Sequence, residues 1–332
     1  MSELPPKSPD FGETPKSEFT AKLEARWAKG NFVCVGLDSD YSLIPDFLKT
    51  IAAQDGFRGE DIVERVIEDF NRQIVESTSD LACAYKPNVA FYEAYGEAGL
   101  RGLKRTIDYI KYYYPEIPII LDAKRADIGN TNSGYVKSAF DVLGADAITV
   151  NPYFGGGSLN PFTEREDKGI VILARTSNPE APELQDLPVD LTKLPKGDDK
   201  NKSYEEKFGD LDELRRIMGS DIVPMYTIVA FQASRRWNAN GNIALVVGAT
   251  YPGELKKVRE IVGDDMAMLI PGIKTQGGEV EATVKAGKDS RNQGMIINSS
   301  RGIIFASKGE DFAEAARAAT GKLDAEINQY RV

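Results

Sequence analysis

The sequence predicts an α/β chain folded as a single (β/α)8 TIM barrel with an insertion after strand 5. Three observations carry that expectation. Eight short apolar runs recur along the 332 residues, each near-continuous rather than alternating, as expected for parallel strands covered on both faces. Segments of helical period lie between them. Each run also ends in polar or charged residues at its C-terminal end, where a barrel of this type builds its site.

The runs in order are FVCVGLD (32–38), LACAYK (81–86), IPIILDAK (117–124) and DAITVNP (146–152), then GIVILARTS (169–177), NIALVVGAT (242–250), MAMLIPG (266–272) and GMIINSSR (294–301). Their ends carry Asp38, Lys86, Asp122 with Lys124, Asn151, Thr176 with Ser177, Thr250, Pro271 and Arg301. Of the helical segments, residues 60–78 set Ile62, Val63, Val66, Ile67, Phe70 and Ile74 on one stripe. Residues 134–144, 252–263 and 310–330 are the other clear helices. A doubly wound sheet is the structural alternative, but it usually needs fewer strands, and no GxGxxG follows the first run.

Residues 1–20 read as a polar, Pro-rich extension, and residues 21–332 as the barrel domain. Residues 181–220 break the repeat. They are rich in Lys, Asp and Pro and follow strand 5, so they predict an excursion at the catalytic face, either a lid or a surface loop.

Bulk composition narrows the function. A net charge of −10 repels nucleic acid and anionic membranes, but leaves room for a small anionic ligand in a pocket with its own field. Cys34 and Cys83 sit in apolar runs and read as buried hydrophobes in a reducing compartment. The N-terminal stretch lacks the apolar core of a signal peptide, and the longest apolar runs, about ten residues, are too short to span a bilayer. A cytoplasmic protein is expected. The chain has no histidine, which removes Ser-His-Asp and Cys-His nucleophile systems, HExxH zinc sites and imidazole acid–base chemistry together. Proton transfer falls to Lys, Asp, Glu, Tyr, Cys or water.

The stretch LDAKRADIGNT (121–131) puts both signs of charge at the end of an apolar strand. Asp122 and Lys124 are two apart and, on a regular strand, face the same side. Asp127 follows three residues later. Nearby carboxylates favour the charged form of a lysine, which suits a general acid better than a Schiff-base nucleophile. An ion-pair network that only orders the loop is the alternative. A second constellation combines PGIKTQGG (271–278) with NSSRG (298–302), after strands seven and eight, where barrels often hold phosphate. Gly277 and Gly278 allow close backbone approach; Gln276 offers an amide and Arg301 a bidentate fork.

These residues resemble the orotidine 5′-phosphate decarboxylase family. The matching blocks are VGLDSD, AYKPNVAFYEAYG, LDAKRADIGNT, NPYFGGG, ARTSNP, PGIKTQGG and NSSRG, in family order from about residue 35 to 305. The resemblance is to the branch typical of many bacteria. It implies a cofactor-free decarboxylation of orotidine 5′-phosphate to UMP and CO2, in a homodimer. By resemblance Lys124 protonates C6 of the pyrimidine and Asp122 lies beside the substrate carboxylate. Asp127 and Thr131 come from the other subunit. Asp38 and Lys86 contact ribose, with Lys86 also joined to the charged array. Ser177 reads the amide edge of the base, Pro271 lines its pocket, and Gln276 and Arg301 hold phosphate, with Gly277, Gly278 and Ser300 counted beside them.

The chain departs from the pattern at Lys274, where many relatives carry Gly, in the length of 181–220, and before residue 20. It has no acidic, Thr-rich phosphoribosyl-diphosphate loop, so a monofunctional protein is expected. Two rivals remain: a Mg2+-dependent keto-sugar phosphate decarboxylase on the same barrel, and a non-catalytic nucleotide-phosphate binding protein.

Overall fold

A computed structural model describes residues 16–194, 210–273 and 277–332. Eight parallel strands form the central sheet: β1 (Val33–Leu37), β2 (Ala82–Pro87), β3 (Ile120–Arg125), β4 (Ala147–Val150), β5 (Gly169–Arg175), β6 (Ile243–Val247), β7 (Met268–Pro271) and β8 (Met295–Ser299). All eight apolar runs are strands. The hydrogen-bonded order runs β2-β1-β8-β7-β6-β5-β4-β3, and the Tyr85–Ile119 and Asn88–Asp122 bridges join β2 back to β3. The sheet is therefore a TIM barrel with helices between its strands. Val33, Cys34, Val35 and Leu37 are wholly buried, as are Met295, Ile296 and Ile297, which is why these strands carry no polar alternation.

The helix Glu60–Thr78 has the bounds its stripe predicts, and Val66, Ile67, Phe70 and Ile74 are fully buried. Helices at Pro252–Val262 and Phe312–Arg331 also match their segments. The 134–144 segment differs: an α-helix at Asn130–Val136 continues as a π-helix over Lys137–Leu143. The sequence reading missed the helix Met225–Gln232, which continues as a π-turn to Trp237, because it has no polar face: Tyr226, Thr227, Ile228, Ala230 and Phe231 are all buried.

The floor of the barrel, at the N-terminal ends of the strands, is closed by the helix Glu18–Ala28. Ser17 caps it, its hydroxyl accepting from the Thr20 amide at 3.1 Å. Phe19 is buried against the first residue of β5: a Cβ on Gly169 would lie 2.2 Å from the Phe19 ring. Arg26 is buried and donates to the carbonyls of Ala82 and Ser79 at 2.8 and 2.6 Å. The helix begins at Glu18, so residues 17–20 belong to the floor rather than to the polar extension in which the sequence reading placed them. Residues 1–15 lie outside the described residues.

After β5 the excursion opens with a short helix at Pro182–Gln185. An antiparallel ribbon, Pro188–Asp190 with Ile222–Pro224, then closes its neck, Val189 facing Val223. The helix Leu211–Met218 leads back to the ribbon.

Candidate active site

The mouth of the barrel gathers four charges from its first three strands. Lys86, next to last in β2, is 3% exposed, an extreme burial for a lysine. Its Nζ donates to Asp122 Oδ2 at 3.0 Å and lies 3.7 Å from Asp38 Oδ1. Asp122, in β3, accepts from Lys124 Nζ on its other oxygen at 2.6 Å. The Thr149 hydroxyl, from β4, also donates to Oδ1 at 2.9 Å. Asp38, Lys86, Asp122 and Lys124 thus form one connected array.

Burial would raise the Asp122 carboxyl, but Lys86 and Lys124 outweigh it and hold the pKa at about 2. Burial likewise opposes the Lys86 charge, yet Asp122 and Asp38 raise that pKa above the ordinary lysine value. Both charges persist at neutral pH because each is the other's partner. Beneath them the Cys34 thiol is pushed up to about 12 by burial and stays protonated.

The path by which Lys124 meets Asp122 differs from a regular strand. The β3–β4 register shifts between Leu121 and Arg125, and Lys124 has φ +48°. A left-handed conformation at a non-glycine residue costs about 1–3 kcal/mol and persists only where surrounding bonds enforce it. Here they do: the amides of Ala123 and Lys124 both donate to the Thr149 hydroxyl oxygen, at 3.0 and 2.9 Å, and the Asn151 amide donates to the Arg125 carbonyl at 2.8 Å. Thr149 thus fixes the backbone under Lys124 and the carboxylate beside it. Sequence reasoning missed it because a buried threonine in an apolar strand looks like packing.

Asp127 stands apart. Among the described residues no hydrogen bond or ion pair joins it to Lys124 within one chain. Its carboxylate accepts from the Ile128 amide at 2.7 Å, and Asn132 clamps its backbone from both sides, at 2.7 and 2.6 Å. Thr131 is exposed on the helix that follows.

On the opposite side of the mouth, Ser177 is wedged by two glycines. A Cβ on Gly248 would lie 2.8 Å from the Ser177 Cα, and one on Gly272, at φ +87°, 3.1 Å from its Cβ. Pro271 ends β7, partly exposed. Gly277 and Gly278 open the helix Gly277–Gly287. Gln276 and Lys274 lie outside the described residues. Ser300 packs so closely on β1 that a Cβ at Gly36 would sit 1.9 Å from its Oγ. Arg301, exposed, follows it at the head of a short helix. The glycines at 36, 248 and 272 are the spacers of the site. The sequence reading gave none of the three a role.

Comparison with known proteins tests the resemblance. The model of the Orotidine 5′-phosphate decarboxylase / HUMPS family matches residues 31–200. A Cellvibrio japonicus protein named orotidine 5′-phosphate decarboxylase is 42% identical over 314 residues, covering 94% of this chain and 99% of its own. The chain belongs to the orotidine 5′-phosphate decarboxylase family. Among solved structures, the Leishmania donovani OMP decarboxylase superposes with a TM-score of 0.69 at 35% identity, over 94% of this chain and 98% of that one. The Plasmodium berghei orotidine 5′-monophosphate decarboxylase, at 22% identity and a TM-score of 0.72, shares the fold. As a member of the orotidine 5′-phosphate decarboxylase family the chain is a carboxy-lyase.

Proposed function

We propose that Lys124 delivers the proton to C6 when this orotidine 5′-phosphate decarboxylase converts its substrate to UMP and CO2 in pyrimidine biosynthesis. The observation that carries this reading is the 2.6 Å contact between Lys124 Nζ and the buried Asp122 at the barrel mouth, with the lysine side chain half exposed. The C6–carboxylate bond breaks and its electron pair stays on C6, in the ring plane, where no π system can take it. A proton moves from Nζ to C6, and the neutral amine recovers one from water. Asp122, ionised throughout, holds the lysine in place and faces the leaving carboxylate.

Magnitudes divide the work. One charge pair at about 4 Å contributes roughly 4 kcal/mol at an effective dielectric near 20. Enzymes lower barriers by up to roughly 23 kcal/mol, and more for very slow reactions. Repulsion between Asp122 and the substrate carboxylate is therefore only a part. Binding of the remote phosphate, assigned to Gln276, Gly277, Gly278, Ser300 and Arg301, supplies orientation and closure. Asp38 and Lys86 take the ribose; Ser177 and Pro271 take the base. No cofactor enters this mechanism.

The working form is a homodimer in which Asp127 and Thr131 reach the neighbouring site. Two features support it: neither residue is used within its own array, and Ile128, Val142, Tyr153 and Phe154 leave large apolar surface exposed on this side of the barrel. The segment 181–220 belongs to the barrel domain as an excursion at its mouth. No helix among the described residues is long and apolar enough to cross a membrane, and a cytoplasmic location is proposed.

The test is turnover of orotidine 5′-phosphate, followed by its ultraviolet change, with EDTA present and with Lys124→Ala alongside. EDTA-insensitive turnover that falls at least a thousandfold in the variant is expected. Turnover that needs Mg2+ points to the keto-sugar type of chemistry, and UMP binding without turnover points to a binding protein. A fully active Lys124→Ala would remove the assigned proton donor.

A further inference from the structure

One buried charge outside the array stands beside it. Arg175, the last residue of β5, is 1% exposed. Its guanidinium grips Asp186 with two nitrogens, at 2.8 and 3.1 Å, and donates to the Thr176 carbonyl at 2.6 Å. Its face lies 4.5 Å from the ring centre of Tyr251, in the loop after β6. The side chain thus ties three segments together: the end of β5, the root of the excursion and the β6 loop.

The peptide beyond it is held just as fully. The Thr176 amide donates to Gln185 Oε1 at 2.8 Å, and the Gln185 amide donates to the Thr176 hydroxyl at 2.8 Å. The Arg175 carbonyl accepts from the Gly248 amide at 2.7 Å. Both ends of the Thr176 residue are therefore fixed, its N–H by Gln185 and its C=O by Arg175. The next residue is Ser177, wedged on Gly248 and Gly272. Arg175 touches no part of the charged array, and a simple strand end needs no buried guanidinium.

We infer that Arg175 is a positioning residue for base recognition: with Asp186 and Gln185 from the root of the excursion, it sets the Thr176–Ser177 backbone that meets the pyrimidine. This rests on the reading of Ser177 as the base-facing residue. It gives residues 182–186 a defined part in substrate discrimination. A lysine at 175 keeps the charge but loses the planar fork that grips Asp186 and Thr176 together.

Arg175→Lys, Asp186→Asn and Ser177→Ala are compared by kcat/KM for orotidine 5′-phosphate and by affinity for two probes, UMP and ribose 5-phosphate, which lacks the base. Thermal melts check the fold of each variant. Arg175→Lys is expected to weaken UMP about tenfold and ribose 5-phosphate less than twofold, with Asp186→Asn moving the same way to a smaller extent. Asp186→Asn keeps the shape and carries the test alone if Arg175→Lys does not fold. Equal weakening of both probes, or no change while Ser177→Ala does discriminate, overturns the role of Arg175. If Ser177→Ala leaves UMP affinity unchanged, the reading of Ser177 fails instead, whatever the arginine does.

Discussion

Lys86 donates to Asp122 at 3.0 Å with almost none of its side chain in water. A buried ion pair of this kind is weak evidence for stability, because desolvation offsets most of the attraction, but removing one partner strands the other. Lys86→Met is expected to lower stability by about 3 kcal/mol and kcat/KM by roughly a hundredfold or more. Adding Asp122→Asn should recover part of the stability and none of the activity. Denaturant melts of the two variants check the first statement and turnover the second. The pair also sets a pH window. Asp122's share of stability is present above its unfolded value of about 4 and is lost as pH falls toward about 2. Lys86's share is complete below its unfolded value of about 10.4 and is lost as pH rises from there through its raised folded value. Neither group should add a limb to the kcat/KM profile between about pH 5 and 9.

Gly36 and Ser300 make a second test. A Cβ at position 36 would meet the Ser300 side chain at 1.9 and 2.7 Å, so Gly36→Ala must displace the residue that leads into Arg301. The expected result is a KM raised about tenfold, roughly 1.4 kcal/mol of binding, with a smaller change in kcat. Because the clash is chiefly with a side chain, Ser300→Gly in the same chain should restore much of the KM. No recovery would place the strain in the backbone.

The cross-subunit assignment of Asp127 is checked by mixing inactive variants. In a mixed dimer of Lys124→Ala and Asp127→Ala chains, one site has neither residue and the other has both. Refolding the two together should restore roughly a quarter of wild-type activity: about half the molecules are mixed dimers and each has one good site. No recovery would place Asp127 in its own chain's site, and an Asp127→Ala chain that is active by itself would place it outside the chemistry.

Asp324, on the last helix, is raised to about 6, chiefly by burial. The folded state therefore holds that proton more tightly than the unfolded chain does. Its stabilising share is complete below about pH 4 and is lost as pH rises through about 6. At pH 8 the ionised group is a net burden of about 1 kcal/mol once screening by water is allowed for. Asp324→Asn should raise Tm by about 2 °C at pH 8 and by nothing at pH 4. The Phe32 amide keeps an oxygen to donate to in that variant.

The strands were legible because burial on both faces writes itself as unbroken apolar runs, and their charged ends stand out against a barrel interior that is otherwise aliphatic. The contact of Lys124 with Asp122 was legible from their spacing, but its mechanism was not, since a left-handed lysine and a register shift leave no mark in composition. Thr149, Arg175 and the helix Met225–Gln232 were hidden for one reason: each is buried, and burial of a polar residue or of a whole helix removes the contrast that pattern reading needs. The spacing glycines were hidden because what makes them necessary, Ser177 and Ser300, lies far away in sequence.

The ribbon at Pro188–Asp190 and Ile222–Pro224 has an engineering consequence. It acts as a clip at the base of the excursion, bringing the two arms together before the chain returns to the barrel. Closing a longer span between clipped ends costs only about 0.6 kcal/mol per doubling of length. A change of length between the arms is thus cheap only where it leaves Leu191 and Leu214, both buried beyond the clip, in place, and then Gln185 and Asp186, on the barrel side of it, keep their grip on β5.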